Sequence, residues 1–219
     1  MPVLDEAGSI ELAVSRCLEI ADEVIVVDGG SSDATIETAE RLECQLVRAA
    51  KGRGQQLFAG AAQATGEILL FLHADTSLPA ATRSQILDSW STIEAGDRSS
   101  FYGCFEQQIE SPGLAFRCIE KGNYLRAKYQ RLPYGDQGIF VSRELYDRVG
   151  GMPQIPLLED FEFARRVSAV ASPVILPGPI SVDPRRWLES GPLRQTIRNW
   201  TIAARYRLGA SPEKLVEKY

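Results

Sequence analysis

The chain has 219 residues, 44% of them apolar and 24% charged, with a formal net charge of −5. These values fit a soluble globular domain and exclude a general nucleic-acid binder, which needs a basic face. The four cysteines, Cys17, Cys44, Cys104 and Cys118, form no CxxC pair, and with one histidine they exclude an ordinary zinc site.

The first helix falls in "AGSIELAVSRCLEIA", where Ile10, Ala13, Val14, Cys17 and Leu18 share one face. Before it, "MPVLDEAG" reads as the end of a strand and its loop, so the first strand is a stub or its start lies upstream of Met1. "EVIVVDGG" is a short β-branched run suited to a buried parallel strand. "SSDATIETAERL" is a capped helix, "CQLVRA" a strand, and "GQQLFAGAAQATG" a small-residue helix that Gly66 closes. "EILLFLHAD" is the next strand. Strands at this rhythm between helices predict βαβ units and a parallel sheet.

The second half changes character. "FYGCFEQQIE" is a strand, and "PGLAFRCIEKGNYLRAKYQRL" is a helix carrying Arg117, Lys121, Arg126, Lys128 and Arg131. That basic stripe is favoured as a solvated face over an anion site. "GIFVSRELYDRVGG" runs from strand to helix, "PLLEDFEFARRVSAV" is a helix and "PVILPGPISVD" a strand. "GPLRQTIRNWTIAARYRLG" is a basic amphipathic helix. It suits an anionic membrane surface, a second subunit or its own domain, and packing is the preferred reading. The cysteines read as reduced, mostly buried thiols of a cytosolic protein. There is no signal peptide, no internal repeat and no apolar run near the ~20 residues of a spanning helix. No linker separates the halves, so residues 1–219 form one domain, with 1–98 a nucleotide-binding half and 99–219 an acceptor and catalytic half.

Two strands end on an acid, Asp28 and Asp75. Ligands of parallel α/β sheets bind at the carboxyl ends of strands, where a carboxylate can hold a divalent ion beside a phosphate. Each acid can equally cap the turn that follows. Glu159 and Asp160 open a helix, either as catalytic carboxylates or as favourable N-terminal charge. Asp136 and Gln137 sit in a glycine-flanked turn, and Arg185, Arg186 and Trp187 follow the last strand.

The segments "PVLDEAG", "VIVVDGGSSDAT", "KGRGQQLFAGAAQATGEILLFLHADTSLP", "YGDQGIFVSRELYDRVGGMP" and "LLEDFEFARRV" together resemble a family-2 glycosyltransferase of GT-A fold. The resemblance spans almost the whole chain and is nearest to a bacterial subgroup associated with arsenosugar biosynthesis. It implies a Rossmann-like α/β fold with a mostly parallel mixed sheet flanked by helices. It also implies a nucleotide-sugar donor, a small-molecule or glycan acceptor, Mg²⁺ or Mn²⁺, and inversion at the anomeric carbon. Asp28 matches the nucleobase-binding acid; Pro2, Leu4 and Glu6 match the loop on base and ribose; Gly52 and Arg53 match the loop near the nucleotide. His73, Ala74 and Asp75 match the acid–any–acid metal motif, with His73 in place of the first acid and Asp75 as metal ligand. Asp160 matches the general base and Glu159 its partner. Asp136 and Gln137 match a segment near sugar or acceptor. Arg185 or Arg186 could clamp the diphosphate, and Trp187 could stack on an acceptor ring. A nucleotide-sugar binding module without turnover and an S-adenosylmethionine methyltransferase are the competing readings. A homodimer is compatible with all three.

Overall fold

A computed structural model describes residues 1–93 and 97–216. β1 (Pro2–Val3), β2 (Ile25–Asp28) and β3 (Gln45–Arg48) form a parallel sheet in the order β1-β2-β3. α1 (Ile10–Leu18) and α2 (Thr35–Ala39) cover one face, where Val3, Ile10, Val14, Val24, Val26 and Ala39 form a core cluster. α3 (Arg53–Gln63) also packs on this sheet. It lies close because Gly60 has no side chain: a Cβ there would stand 2.8 Å from Val27 Cγ2. Gln56 Nε2 donates to the carbonyls of Val3 and Val27, both at 2.8 Å, and so ties α3 to β1 and β2.

The second sheet has the order β4-β7-β6-β8-β5. Its strands are β4 (Ile68–Phe71), β5 (Thr76–Ser77), β6 (Tyr102–Ile109), β7 (Ile139–Ser142) and β8 (Val174–Val182). Only β6 and β8 pair parallel; β4–β7, β6–β7 and β5–β8 are antiparallel. The mixed sheet is therefore less parallel than the rhythm of the chain predicts. β6 and β7 pair antiparallel although a helix, residues 114–125, lies between them, so alternation of strand and helix does not by itself make neighbouring strands parallel. One face packs Leu69, Phe71, Tyr102, Ile139 and Val141 against Leu57 of α3, Leu145 of α6 (Arg143–Arg148) and Phe163 and Val167 of α7 (Glu159–Ser168). The other packs Phe105, Phe140, Leu176 and Ile180 against Ile86 of α4 (Thr82–Ser91). α5 (Leu114–Leu125) lies beside β6. α8 (Arg185–Ser190), α9 (Pro192–Arg207) and α10 (Pro212–Val216) complete the chain.

Two local expectations change. The strand expected to reach Asp75 stops at Phe71, because the His73 carbonyl accepts from the Thr76 N–H at 3.2 Å and its hydroxyl at 2.8 Å, closing a turn. The third helix ends at Gln63, with the Ala64 N–H on the Gly60 carbonyl, so Gly66 does not close it. All four cysteines are free, but the expectation of mostly buried thiols does not hold: Cys104 is buried, Cys17 and Cys44 are half-buried and Cys118 is exposed.

Candidate active site

One cavity of about 480 Å³ opens at the carboxyl ends of β1 and β4, where the two sheets meet α7 and α9. Pro2 lines it from β1, Leu4 and Glu6 from the loop that follows, and Gly52 and Arg53 from the start of α3. His73, Ala74 and Asp75 line it from the β4–β5 turn, and Asp136 and Asp160 from the segments before β7 and at the start of α7. The chain thus brings together polar groups from five segments that are far apart in sequence.

Asp160 is held by two backbone amides. The Gly135 N–H donates to Oδ2 and the Phe161 N–H to Oδ1, both at 2.7 Å. Gly135 is what permits this approach, since a Cβ there would stand 2.8 Å from His73 Nε2 and 3.2 Å from Asp160 Oδ2. His73 and Asp160 therefore flank one glycine. Leu158, the residue before α7, has φ 65° and ψ 28°. That left-handed conformation is strained for a bulky side chain, with a cost of about 1–3 kcal/mol. It turns the chain sharply so that Glu159 points inward while Asp160 lines the cavity.

Glu159 is buried behind the cavity, its Oε1 2.9 Å from Arg53 Nε. Burial pushes its carboxyl up to about 7; Arg53 opposes the shift and neighbouring Asp160 adds to it. The pair meets because Gly54 lets α3 touch the 153–159 loop: a Cβ there would lie 2.2 Å from the Pro153 carbonyl oxygen and 3.2 Å from Glu159 Cβ. Glu159 thus holds a cavity-lining arginine and does not itself face the cavity.

Asp136 accepts from Gln107 Nε2 at 2.9 Å, while its buried Oδ1 has no partner. Burial raises its carboxyl above the ordinary range; Arg126 and Gln107 oppose this, and Asp160 and Asp75 add to it. Arg126 leaves the expected solvated stripe. Its guanidinium donates to Asn123 Oδ1 at 2.7 Å, Gln137 Oε1 at 2.8 Å and the Leu132 carbonyl at 2.9 Å, and lies 3.4 Å from the centre of the Tyr134 ring. Gln137 is fully buried in this network and does not line the cavity.

Asp28 is also outside the lining. It is buried, and its carboxylate accepts from the Gly30 N–H at 2.8 Å and the Ser31 N–H at 3.1 Å, the turn-capping arrangement. The hydroxyls after it tie loops together: Ser31 Oγ and Thr35 Oγ1 accept from the N–H groups of Asp5 and Glu6 at 2.9 and 2.8 Å. Arg185 is exposed, pairs with Asp183 at 2.7 Å and does not reach the cavity. The Arg186 side chain lies outside the described structure. Trp187 is buried, lines the cavity and has no partner for its indole N–H.

The cavity wall also includes Lys51, Gln56, Tyr134, Leu157, Asp183, Asn199 and Ile202. Lys51 adjoins "GRG" and Tyr134 adjoins "GDQ", so proximity to those motifs was an available signal. Asn199 and Ile202 lie on α9, and no local pattern marks them. Among the described residues no three His, Cys, Asp or Glu side chains converge as a metal cage. Asp75 lines the cavity beside His73 and not far from Asp136, whose titration it perturbs. Mg²⁺ is commonly held by one or two carboxylates together with substrate phosphates. The donor set therefore fits an ion shared with a phosphate ligand, and not a cage built of protein alone.

The family model described as Glycosyl transferase family 2 matches residues 1–148. No curated protein sequence matches the chain significantly. Among solved structures, the chain resembles glucosyl-3-phosphoglycerate synthase from Mycobacterium tuberculosis in complex with Mn²⁺, uridine diphosphate and phosphoglyceric acid, with TM-score 0.60 and 19% identity over 90% of this chain and 74% of that one. It also resembles the mannosyltransferase PcManGT from Pyrobaculum calidifontis in complex with GDP-Man and Mn²⁺, with TM-score 0.57 and 22% identity over 82% of this chain and 54% of that one. S. aureus TarS 1–349 matches with TM-score 0.59 and 20% identity over 86% of this chain and 60% of that one. At these identities the likeness is one of fold, and the chain spans only part of the length of each structure.

Proposed function

The chain belongs to glycosyl transferase family 2, and on that premise we propose that it moves a glycosyl group from a nucleoside-diphosphate sugar to an acceptor hydroxyl. The observation that carries the reading is that Asp75 and Asp160, from separate segments, line one cavity whose walls also bear Lys51 and Arg53. Lys51 and Arg53 supply positive charge for the diphosphate, while the loop of Pro2, Leu4 and Glu6 receives the nucleoside. Asp75 would hold a divalent ion, Mg²⁺ or Mn²⁺, against the diphosphate, and such an ion would neutralise charge on the leaving group.

Asp160 accepts the acceptor proton. The Gly135 and Phe161 amides orient its carboxylate, and general base catalysis needs a positioned base. Attack on the face opposite the diphosphate would invert the anomeric centre. Glu159 holds Arg53 in place, and Asp28 shapes the loop under the nucleoside site without touching it. Trp187 offers an unused indole N–H and a flat ring to an acceptor. The resemblance to the arsenosugar subgroup makes an arsenic-bearing sugar precursor the first acceptor to try, with the cytoplasm as the place of reaction.

A thermal-shift series with nucleoside diphosphates, with and without Mn²⁺, tests the reading, since a ligand of the native state raises apparent stability. One nucleotide should raise the melting temperature, and more so with Mn²⁺. A shift with S-adenosylmethionine and none with any nucleotide would sink it. His73 in the metal motif keeps a binding module without turnover in view; donor hydrolysis, measured as nucleoside diphosphate release, separates that case.

A further inference from the structure

α9 is apolar on two opposite faces. Ile202, Ala203 and Gln195 are buried against the domain. On the other side Leu193, Ile197, Trp200 and Ala204 fall at i, i+4, i+7 and i+11, a single stripe, with Leu208 continuing it past the helix end. Leu193 is 72% exposed, Ile197 and Trp200 59% each, and Leu208 87%. α9 carries four arginines and no acid, in a chain whose net charge is −5. Arg194, Arg198 and Arg205 flank one side of the stripe and are exposed, while Arg207 turns to Gln130 Oε1 at 3.3 Å and to the Phe161 ring. Exposed leucines occur singly on most proteins, but an aligned stripe of this size calls for an occupant.

We propose that this face of α9 docks on an anionic phospholipid surface. The apolar stripe would enter the acyl boundary, Trp200 would sit at headgroup depth, and the flanking arginines would meet lipid phosphates. Charge complementarity selects this occupant over a second copy. A two-fold contact puts the same face against itself, and would set the arginines of one helix against those of the other. Asn199 and Ile202 reach the cavity from the buried side of α9, so docking would leave the cavity about one helix diameter, roughly 10 Å, behind the lipid surface.

Co-sedimentation with phosphatidylcholine vesicles, with and without phosphatidylglycerol, tests the proposal, together with quenching of Trp200 by bromine-labelled lipid. The chain should bind the anionic vesicles and lose Trp fluorescence there, and Trp200→Phe should remove the quenched component. Arg194→Gln with Arg205→Gln should weaken binding by roughly thirtyfold, from about fivefold per surface arginine. Ile197→Ser with Trp200→Ser should abolish it while nucleotide-dependent thermal shifts persist. Absence of vesicle binding overturns the proposal, as does equal binding to neutral vesicles that the arginine variant leaves unchanged. So does a dimer in sedimentation velocity that Ile197→Ser with Trp200→Ser dissociates. The arginine pair is exposed and outside the core, so its variant keeps the test decisive if the apolar variant does not fold.

Discussion

Asp160→Asn separates the chemistry of the site from its architecture. The carboxylate accepts one amide on each oxygen, Gly135 N–H on Oδ2 and Phe161 N–H on Oδ1. Asparagine keeps one acceptor oxygen and puts an NH₂ against the other amide. One N–H then loses its partner, at a cost of about 1–3 kcal/mol. In a chain of this size each kcal/mol is worth roughly 2–4 °C, so the melting temperature should fall by several degrees. Turnover should fall by about 10²- to 10⁴-fold, the usual worth of a general base, or roughly 3–5 kcal/mol of barrier. Affinity for nucleoside diphosphate with Mn²⁺ should be nearly unchanged, because a base acts only as the acceptor proton moves. Calorimetric titration measures the affinity and nucleoside diphosphate release measures the rate. Lost donor affinity with an intact rate on bound donor would refute the reasoning and exchange the roles of Asp160 and Asp75.

Asp75→Ala should weaken donor binding and remove its Mn²⁺ dependence in the same titration. Gly54→Ala would drive a methyl group to 2.2 Å from the Pro153 carbonyl oxygen. Overpacking of that kind costs about 1–3 kcal/mol, read by urea unfolding, and should weaken nucleotide binding as Arg53 shifts. Glu162 bonds to Arg165 and Arg166 on its own helix and to the Tyr206 hydroxyl of α9. The Arg165 hydrogen bonds, aided by Arg166 and Tyr206, hold its carboxyl down to about 2 against burial. Its contribution is present above the ordinary pKa of about 4.3 and is lost as pH falls towards 2. Glu162→Gln should therefore flatten the acid limb of stability, by about 2 kcal/mol once screening at the exposed arginines is allowed for. Glu159, pushed up to about 7, has the opposite sign. Its native state keeps a proton that the unfolded chain releases, so stability falls as pH rises from about 4.3 to 7, and Glu159→Gln should remove that slope.

The run of short strands and helices was legible in the chain because periodicity and glycine breaks are local. So was the family, because the runs that carry it are contiguous, such as "LLFLHADTSLP" within the matched residues 1–148, with "LLEDFEFARRV" adding to the resemblance beyond them. Those same runs located Asp75 and Asp160, which line the cavity. What each acid does was decided by its surroundings. Asp28 and Asp75 look alike at the ends of apolar runs, yet the turn after β2 folds back on Asp28 with two N–H groups while Asp75 lines the cavity. Glu159 and Asp160 are neighbours, yet the left-handed turn at Leu158 sends one inward to Arg53 and leaves the other at the cavity wall. Arg126 reads as one more cation on a helix, but Asn123, Gln137 and Tyr134 enclose it. α9 reads as an amphipathic helix that packs; the fold buries the Ile202 side and leaves the Trp200 stripe outside. A sequence records which groups are present and how they repeat along one element. Burial, and the partners that share it, come from elements far apart in the chain, and only their packing decides which charges are held by the backbone and which remain at the cavity wall.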